Sequence, residues 1–420
     1  MVLSPGGSSP LSPRIWLTVI VCGLGYFVDI YDLILFSIVR TQSLIDIGVT
    51  ADRMQDASEL ILNSQMIGML LGGLLFGVLA DRKGRLSVML GSILLYSIMN
   101  IMNAFVSSVE MYAIFRFLSG IGLAGELGVA VTLVAEIMPV KSRGYGTTIV
   151  ASMGILGAVA AYLVAEFTNW QTAFVAGGVM GLLLLVTRVR IHESGMFRAA
   201  ERSDVSRGNV AMLFSPSRIG RYLSSIAIGV PIWYVIGILV TFAPEFTSES
   251  SSTPVLMSGG MAVMWAYVGL SFGDLCSGLL SQLLKSRRAA ILVFILLTAA
   301  SAAWYLTSTD KTPVLTYFQC ALLGFSVGYW AVFVTTAAEQ FGTNLRATAA
   351  TTVPNFVRGS LALLILLFKW LRTDVFGGEG METPRISAAL VVGALCIAIA
   401  LLGWLGLKET YGKDLEFVER

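Results

Sequence analysis

Twelve apolar runs follow one another through this chain, each long enough to cross a lipid layer as a helix, with short polar connections between most of them. A span needs about 20 mainly apolar residues. The runs fall at 15–39, 59–80, 86–107, 111–138, 145–167, 170–188, 219–245, 257–284, 289–308, 313–338, 347–371 and 386–407. In hydrocarbon every backbone amide and carbonyl must be satisfied inside the protein, so continuous runs of this kind imply an all-α membrane protein. A mean hydropathy of +0.79, with only 13% charged residues, excludes a soluble globular domain. The net charge of +2 leaves no basic field for nucleic acid. Cys22, Cys276, Cys320 and Cys396 stand singly in apolar segments, with neither metal-ligand nor disulfide spacing, and read as packing residues. The opening "MVLSPGGSSPLSP" is a polar tail, and the run after it is too long for a signal-peptide core, so the first span is expected to remain as an anchor.

Positive charge sets the expected orientation, because lysine and arginine collect on the cytoplasmic side of membrane spans. With the N-terminus inside, that side holds 20 of them, among them Arg82, Lys83, Arg85, Lys141, Arg143, Arg287, Arg288 and Arg346. The other side holds 6: Arg40, Arg53, Lys311, Lys369, Arg372 and Arg385. Both termini are therefore expected in the cytoplasm. The long polar connection 189–218 divides the chain into six-span bundles at 15–188 and 219–407, between cytoplasmic tails at 1–14 and 408–420. These two segments resemble each other at an offset of about 200 residues. Glu136 stands seven residues before Arg143 in "AEIMPVKSRG", as Glu339 stands seven before Arg346 in "AEQFGTNLRA". Two parallel six-helix repeats around a midplane site are the architecture of an alternating-access carrier.

At "GVLADRKGR", Gly77 to Arg85, the sequence resembles the major facilitator superfamily, whose signature lies between helices two and three. The resemblance covers essentially the whole chain. It implies a cytoplasmic gate latching the two halves, to which Gly77, Asp81 and Arg85 belong with the charged positions Glu136, Arg143, Glu339 and Arg346. "RFLSGIGLA", Arg116 to Ala124, resembles the fourth-helix motif of that superfamily, in which a buried arginine is linked to proton coupling. The same stretch contains "GIGLAG", a literal match to a dinucleotide-binding fingerprint, but no strand precedes it, and its glycines read as small residues that let helices approach. "HESGMF" at 192–197 and "KETYGKDLEFVE" at 408–419 resemble the end-of-bundle motifs of the sugar-porter branch and its organic-ion relatives. The seventh span lacks the glutamine-rich hexose motif, and the fifth lacks the Gly-Pro kink of drug/proton antiporters. The branch most similar is that of the metabolite/proton symporters for sialate, shikimate-like, aromatic and other small carboxylates.

Charges inside the spans are costly, about 2.5–3.5 kcal/mol each on insertion scales, so each needs a partner, a proton or a wet cavity. Asp29 and Asp32 share one face of the first span. At about 1.5 Å per residue, Glu126, Arg358 and Asp274 fall near the midplane, with Asp29, Asp32 and Arg116 in a layer to one side. Four carboxylates then face two arginines. Full ionisation of all six is costly in a low dielectric, so part of the surplus is expected to hold protons. Asp29, Asp32 and Arg116, assisted by Glu126, are the expected proton-coupling set. Arg358 cannot shed its charge and matches a carboxylate with its fork of donors. It is the expected substrate anchor, with Asp274 and the aromatics Tyr31, Trp233, Tyr234, Tyr329 and Trp330 around it. A permanent Arg358–Asp274 pair is the structural alternative.

The resulting expectation is a proton-coupled importer of a small organic anion, with protons as coupling ion, no other cofactor and no metal. It would act as a monomer in a bacterial inner membrane. A carrier of cations or zwitterions and an uncoupled facilitator remain open. A membrane enzyme or receptor is the remote alternative, for the sequence shows no nucleotide loop, zinc motif or nucleophile elbow and has a single histidine, His192, in the central connection.

Overall fold

The computed structural model describes residues 13–138, 143–188, 212–251, 257–309, 311–378 and 383–412. The side chains of Asp81, Arg85, Glu136 and Arg143, most of the 189–218 connection and the outer parts of both tails lie outside the described residues. Every regular element described is helical. The first segment contains α1 (Pro13–Asp46), α2 (Met54–Lys83), α3 (Arg85–Asn103), α4 (Val109–Leu123), α5 (Leu127–Ile137), α6 (Arg143–Phe167) and α7 (Trp170–Arg188). The second contains α8 (Ile219–Ala227), α9 (Val230–Tyr234) with a π-helical continuation Val235–Val240, α10 (Ala243–Glu249), α11 (Gly259–Leu283) and α12 (Arg287–Thr307). It continues with α13 (Pro313–Ser326), α14 (Trp330–Glu339), α15 (Thr343–Trp370) and α16 (Pro384–Gly406).

Eleven helical stretches among the described residues are long and apolar enough to span a membrane. The run expected at 111–138 is not one helix but two, α4 and α5, broken at Ala124–Glu126. The tenth run is likewise split at Val327–Tyr329, and the seventh is divided among α8, α9 and the π turn. Gly125, and in the second segment Gly328, stand at these breaks. Capping residues start several helices as their chemistry dictates. Ser108, Ser258, Ser286 and Thr312 each accept a backbone N–H from the first turn of α4, α11, α12 and α13. One residue, Gly84, connects α2 to α3 at φ 98°, which only glycine adopts without strain and which accounts for its place in "ADRKGR".

The two segments repeat one packing scheme. In the first, α1 lies against α6, α2 against α4 and α3 against α7; in the second, α9 lies against α15, α11 against α13 and α12 against α16. The repeat extends to single atoms: Gly68 and Gly72 abut the carbonyls of Phe117 and Ile121, as Gly269 and Gly273 abut those of Ala321 and Phe325. A Cβ at any of the four would collide with backbone, so these pairs of helices approach as closely as helices can. Between segments, α2 runs along α15 and α6 along α11. The central site lies at this seam.

Candidate functional site

Two buried arginines organise the charge. Arg116 on α4 pairs with Asp32 on α1 at 2.8 Å, and its second terminal nitrogen donates to the Asp32 backbone carbonyl, also at 2.8 Å. Ser119 Oγ donates to the other Asp32 carboxylate oxygen at 2.9 Å, and Arg116 Nε donates to Gln65 Oε1 at 3.3 Å. Asp32, Arg116, Ser119 and Gln65 are fully buried. A buried pair of this kind can persist in a low dielectric because all three Arg116 nitrogens and both Asp32 carboxylate oxygens have hydrogen-bond partners.

Asp29 turns elsewhere. Its Oδ2 lies 3.9 Å from Arg358 Nη2, across the seam on α15. Three residues of α-helix rotate a side chain by about 300°, leaving about 60° between Asp29 and Asp32. That angle is enough to aim one carboxylate at α4 and the other at α15. The expected layer of Asp29, Asp32 and Arg116 is therefore corrected: Asp29 belongs with Arg358.

Arg358 is 1% exposed, with its guanidinium 5.3 Å from the Trp330 ring centre. Its Nη1 makes a long contact of 3.5 Å to Asn355 Oδ1, while Nε and Nη2 have no hydrogen-bond acceptor. Those two nitrogens form the side-on edge of the guanidinium, the edge that a carboxylate bridges with both oxygens. Beside them is a small cavity of about 20 Å³, lined by Tyr26, Ile30 and Ile155 of the first segment and Ile232, Trp233, Ile236, Tyr267, Leu270 and Trp330 of the second. Trp233 Nε1 has no acceptor, and Trp330 Nε1 lies beside the Tyr26 hydroxyl without hydrogen-bond geometry. The walls are thus aromatic and aliphatic, and the polar groups converging on them are mostly donors.

Of the residues expected around the substrate, Arg358, Trp233 and Trp330 reach this cavity. Tyr31, Tyr234 and Tyr329 do not: their hydroxyls donate to the backbone carbonyls of Ala173, Ala389 and Ile228 and tie neighbouring helices together. Asp274 accepts from the Ala331 amide at 3.0 Å and does not pair with Arg358. Glu126 is fully buried at the α4–α5 break; it neither lines the cavity nor bonds Asp32. Tyr26, Ile30 and Ile155 are cavity residues that sequence reasoning missed. Tyr26 lies three before Asp29, one turn along the same helix, which was the available signal.

Both ends of the seam are bridged. At one end Arg40 Nη2 donates to both carboxylate oxygens of Glu245, at 2.6 and 2.9 Å, joined by Lys369–Asp56 at 2.7 Å and Arg372–Glu59 at 3.2 Å. At the other, the Gly77 face of α2 meets Thr348 and Thr352 of α15, and Thr348 Oγ1 donates to the Gly77 carbonyl at 3.3 Å. Glu339 at that end turns to the C-terminal segment, accepting from Thr410 Oγ1 at 2.7 Å and facing Arg287 at 3.5 Å, while Arg346 is buried nearby in the first turn of α15.

A polytopic helical chain with an internal repeat and a buried arginine beside an aromatic-lined cavity at the seam, bridged at both ends, is a membrane carrier. The Major Facilitator Superfamily profile matches residues 22–364, and the chain belongs to that family of transporters, not to an enzyme class. It is similar to the niacin transporter NiaP of Acinetobacter baylyi, 28% identical with 95% of each chain covered. The 3-(3-hydroxy-phenyl)propionate transporter of Escherichia coli K12 is 25% identical over 81% of this chain and 83% of its own. Among solved structures, the proton:xylose symporter XylE superimposes with a TM-score of 0.73 at 16% identity, covering 96% of this chain and 98% of that one, which establishes the fold. With its candidate spans and bacterial relatives, the chain is a multi-pass protein of a bacterial inner membrane.

Proposed function

We propose that this transporter carries a small aromatic carboxylate inward together with protons. The observation that carries the reading is Arg358: a buried guanidinium with its side-on edge unbonded, stacked on Trp330 in an aromatic-walled cavity. An aromatic acid presents two oxygens to that edge and a flat ring to Trp330, Trp233, Tyr26 and Tyr267. The relatives named for niacin and for a hydroxyphenyl propionate support the same substrate class.

Asp29 supplies the coupling. An ionised Asp29 at 3.9 Å competes with an arriving carboxylate for Arg358. Two unit charges at 4 Å attract by about 4 kcal/mol at an effective dielectric of 20. Protonating Asp29 removes that competitor, so proton and anion bind best together, which is the condition for symport. The Asp32–Arg116 pair one turn away completes the proton-handling group, with Glu126 in an assisting role. The cytoplasmic placement of both termini, the two six-span bundles joined by 189–218 and a monomeric working unit belong to the same proposal.

The test is uptake of labelled benzoate and nicotinate by proteoliposomes under an imposed inward proton gradient. Accumulation above equilibrium, abolished by a protonophore, supports the proposal. Uptake of amines alone, or equilibration without accumulation, contradicts it.

A further inference from the structure

The break at Val327–Tyr329 opens a helix start in the middle of the protein. The N-cap residue of α14, Tyr329, offers no side-chain acceptor, and the first amides of any helix lack intrahelical partners. One is satisfied from outside: Asp274 Oδ1, on α11, accepts from Ala331 N at 3.0 Å. Asp274 reaches it because Gly273 and Gly328 place the two backbones in direct contact, where a Cβ on either would collide. The other side of the break is anchored as well. Thr298 Oγ1 donates to the Ser326 carbonyl at 2.9 Å, and the Tyr329 hydroxyl donates to the Ile228 carbonyl at 2.8 Å.

The internal repeat shows that this arrangement is particular to the second segment. Gly68 and Gly72 match Gly269 and Gly273, so the position matching Asp274 on α2 is Gly73. Against Gly73 packs Asn355 of α15, whose Nδ2 donates to the Ala124 carbonyl at the α4–α5 break at 2.8 Å. The first segment's break is thus held from across the seam, and the second's by a carboxylate of its own segment. The residue beside the capped amide is Trp330, which lines the cavity and covers Arg358.

We propose that Asp274 is a positioning residue for substrate recognition: by capping α14 it fixes Trp330 over Arg358 and so sets the aromatic wall against which the substrate ring stacks. The claim about substrate rests on the aromatic-carboxylate reading above; the claim about α14 does not. Asp274 acts through its hydrogen-bond acceptor, so an amide at this position performs the same task.

Two measurements test this on the full-length protein. Hydrogen–deuterium exchange of the peptide spanning Val327–Val332 reports the cap without any substrate: D274A should exchange faster than wild type, and D274N should remain close to wild type. Counterflow with benzoate as probe reports the consequence. Loss of a helix cap costs on the order of 1 kcal/mol, so D274A should raise KM about 5- to 10-fold with little change in kcat. D274N should recover to within about twofold, and W330A should match D274A, with the double variant D274A/W330A no worse than W330A alone, as expected of two residues acting through one contact. Exchange unchanged in D274A overturns the capping role, whatever the substrate proves to be. A D274N variant as impaired as D274A, or losses that multiply in the double variant, overturn the positioning of Trp330. Absence of benzoate counterflow in the wild type would remove the proposed substrate class and leave the exchange result to decide the role of Asp274.

Discussion

Among the described residues three ion pairs cross the seam at the Arg40 end, and their surroundings rank them. Lys369–Asp56 is 43% and 60% exposed, a class of pair worth at most about 1 kcal/mol. In Arg40–Glu245 one Arg40 nitrogen meets both carboxylate oxygens, the Arg40 side chain is 3% exposed, and the guanidinium rests 5.0 Å from the Phe242 ring centre. Truncating one member of such a pair costs about 2–5 kcal/mol, largely because the other charge is left buried. In E245Q that cost falls on the closed arrangement alone, since opening this end hydrates Arg40. At about 2 kcal/mol the ratio of open to closed rises about 30-fold. The assay is the rate at which a membrane-impermeant thiol reagent, applied on the Arg40 face, modifies a single cysteine at the cavity position Ile236, with Cys22, Cys276, Cys320 and Cys396 replaced. E245Q should raise that rate about 30-fold, R40Q/E245Q should return it to within a few-fold, and D56N should leave it nearly unchanged. An unchanged rate in E245Q, or an equal rise in D56N, would refute the ranking.

Replacing Asp29 by asparagine imitates its protonated form: counterflow of benzoate should persist while gradient-driven accumulation in proteoliposomes disappears. In D32N, Arg116 is left as an unpaired buried charge, which costs about 3–5 kcal/mol, and thermal unfolding in detergent should show a lower midpoint that D32N/R116Q largely restores. Lys311, in the connection between α12 and α13, is 1% exposed; its Nζ has no hydrogen-bond acceptor and lies 4.0 Å from the Tyr305 ring centre. Burial pushes its pKa down to about 8, against the opposing pull of Cys320 and Glu249. Between about pH 8 and 10.4 the unfolded chain then binds more proton than the folded one, so stability should rise with pH in that window. The rise should be absent in K311M, which should also melt higher than wild type at pH 7, because a shift of about two units, ~3 kcal/mol, exceeds the ~1–2 kcal/mol of a cation–π contact. A pH-independent wild-type midpoint would remove this account.

The apolar runs made the helical membrane fold legible because hydrocarbon permits few other uses of such sequence. The Arg116–Asp32 contact was legible from depth alone, since both residues sit far along antiparallel helices. Depth says nothing of azimuth, and for that reason Asp29 was grouped with Arg116 instead of Arg358. The tyrosines show a similar limit. Tyr26 and Tyr31 lie on one helix, yet Tyr26 lines the cavity while Tyr31 bonds the Ala173 carbonyl. A tyrosine has both an apolar body and a donor, and only the packed neighbours decide which is used. The α4–α5 break was hidden because a run of apolar and small residues is equally compatible with one helix or two. The helix start at Trp330 was hidden for the same reason, since its cap, Asp274, comes from another helix.

The central claim is that Arg358 reads a carboxylate on an aromatic ring, and the most direct test is calorimetric binding of nicotinate and benzoate against their neutral amides. Hydrogen bonds to a charged group contribute about 1.5–3 kcal/mol each, so the wild type should prefer the acids by about 30-fold or more, and R358Q should compress that preference to a few-fold. Equal binding of acid and amide by the wild type, or a preference that survives in R358Q, would contradict the account.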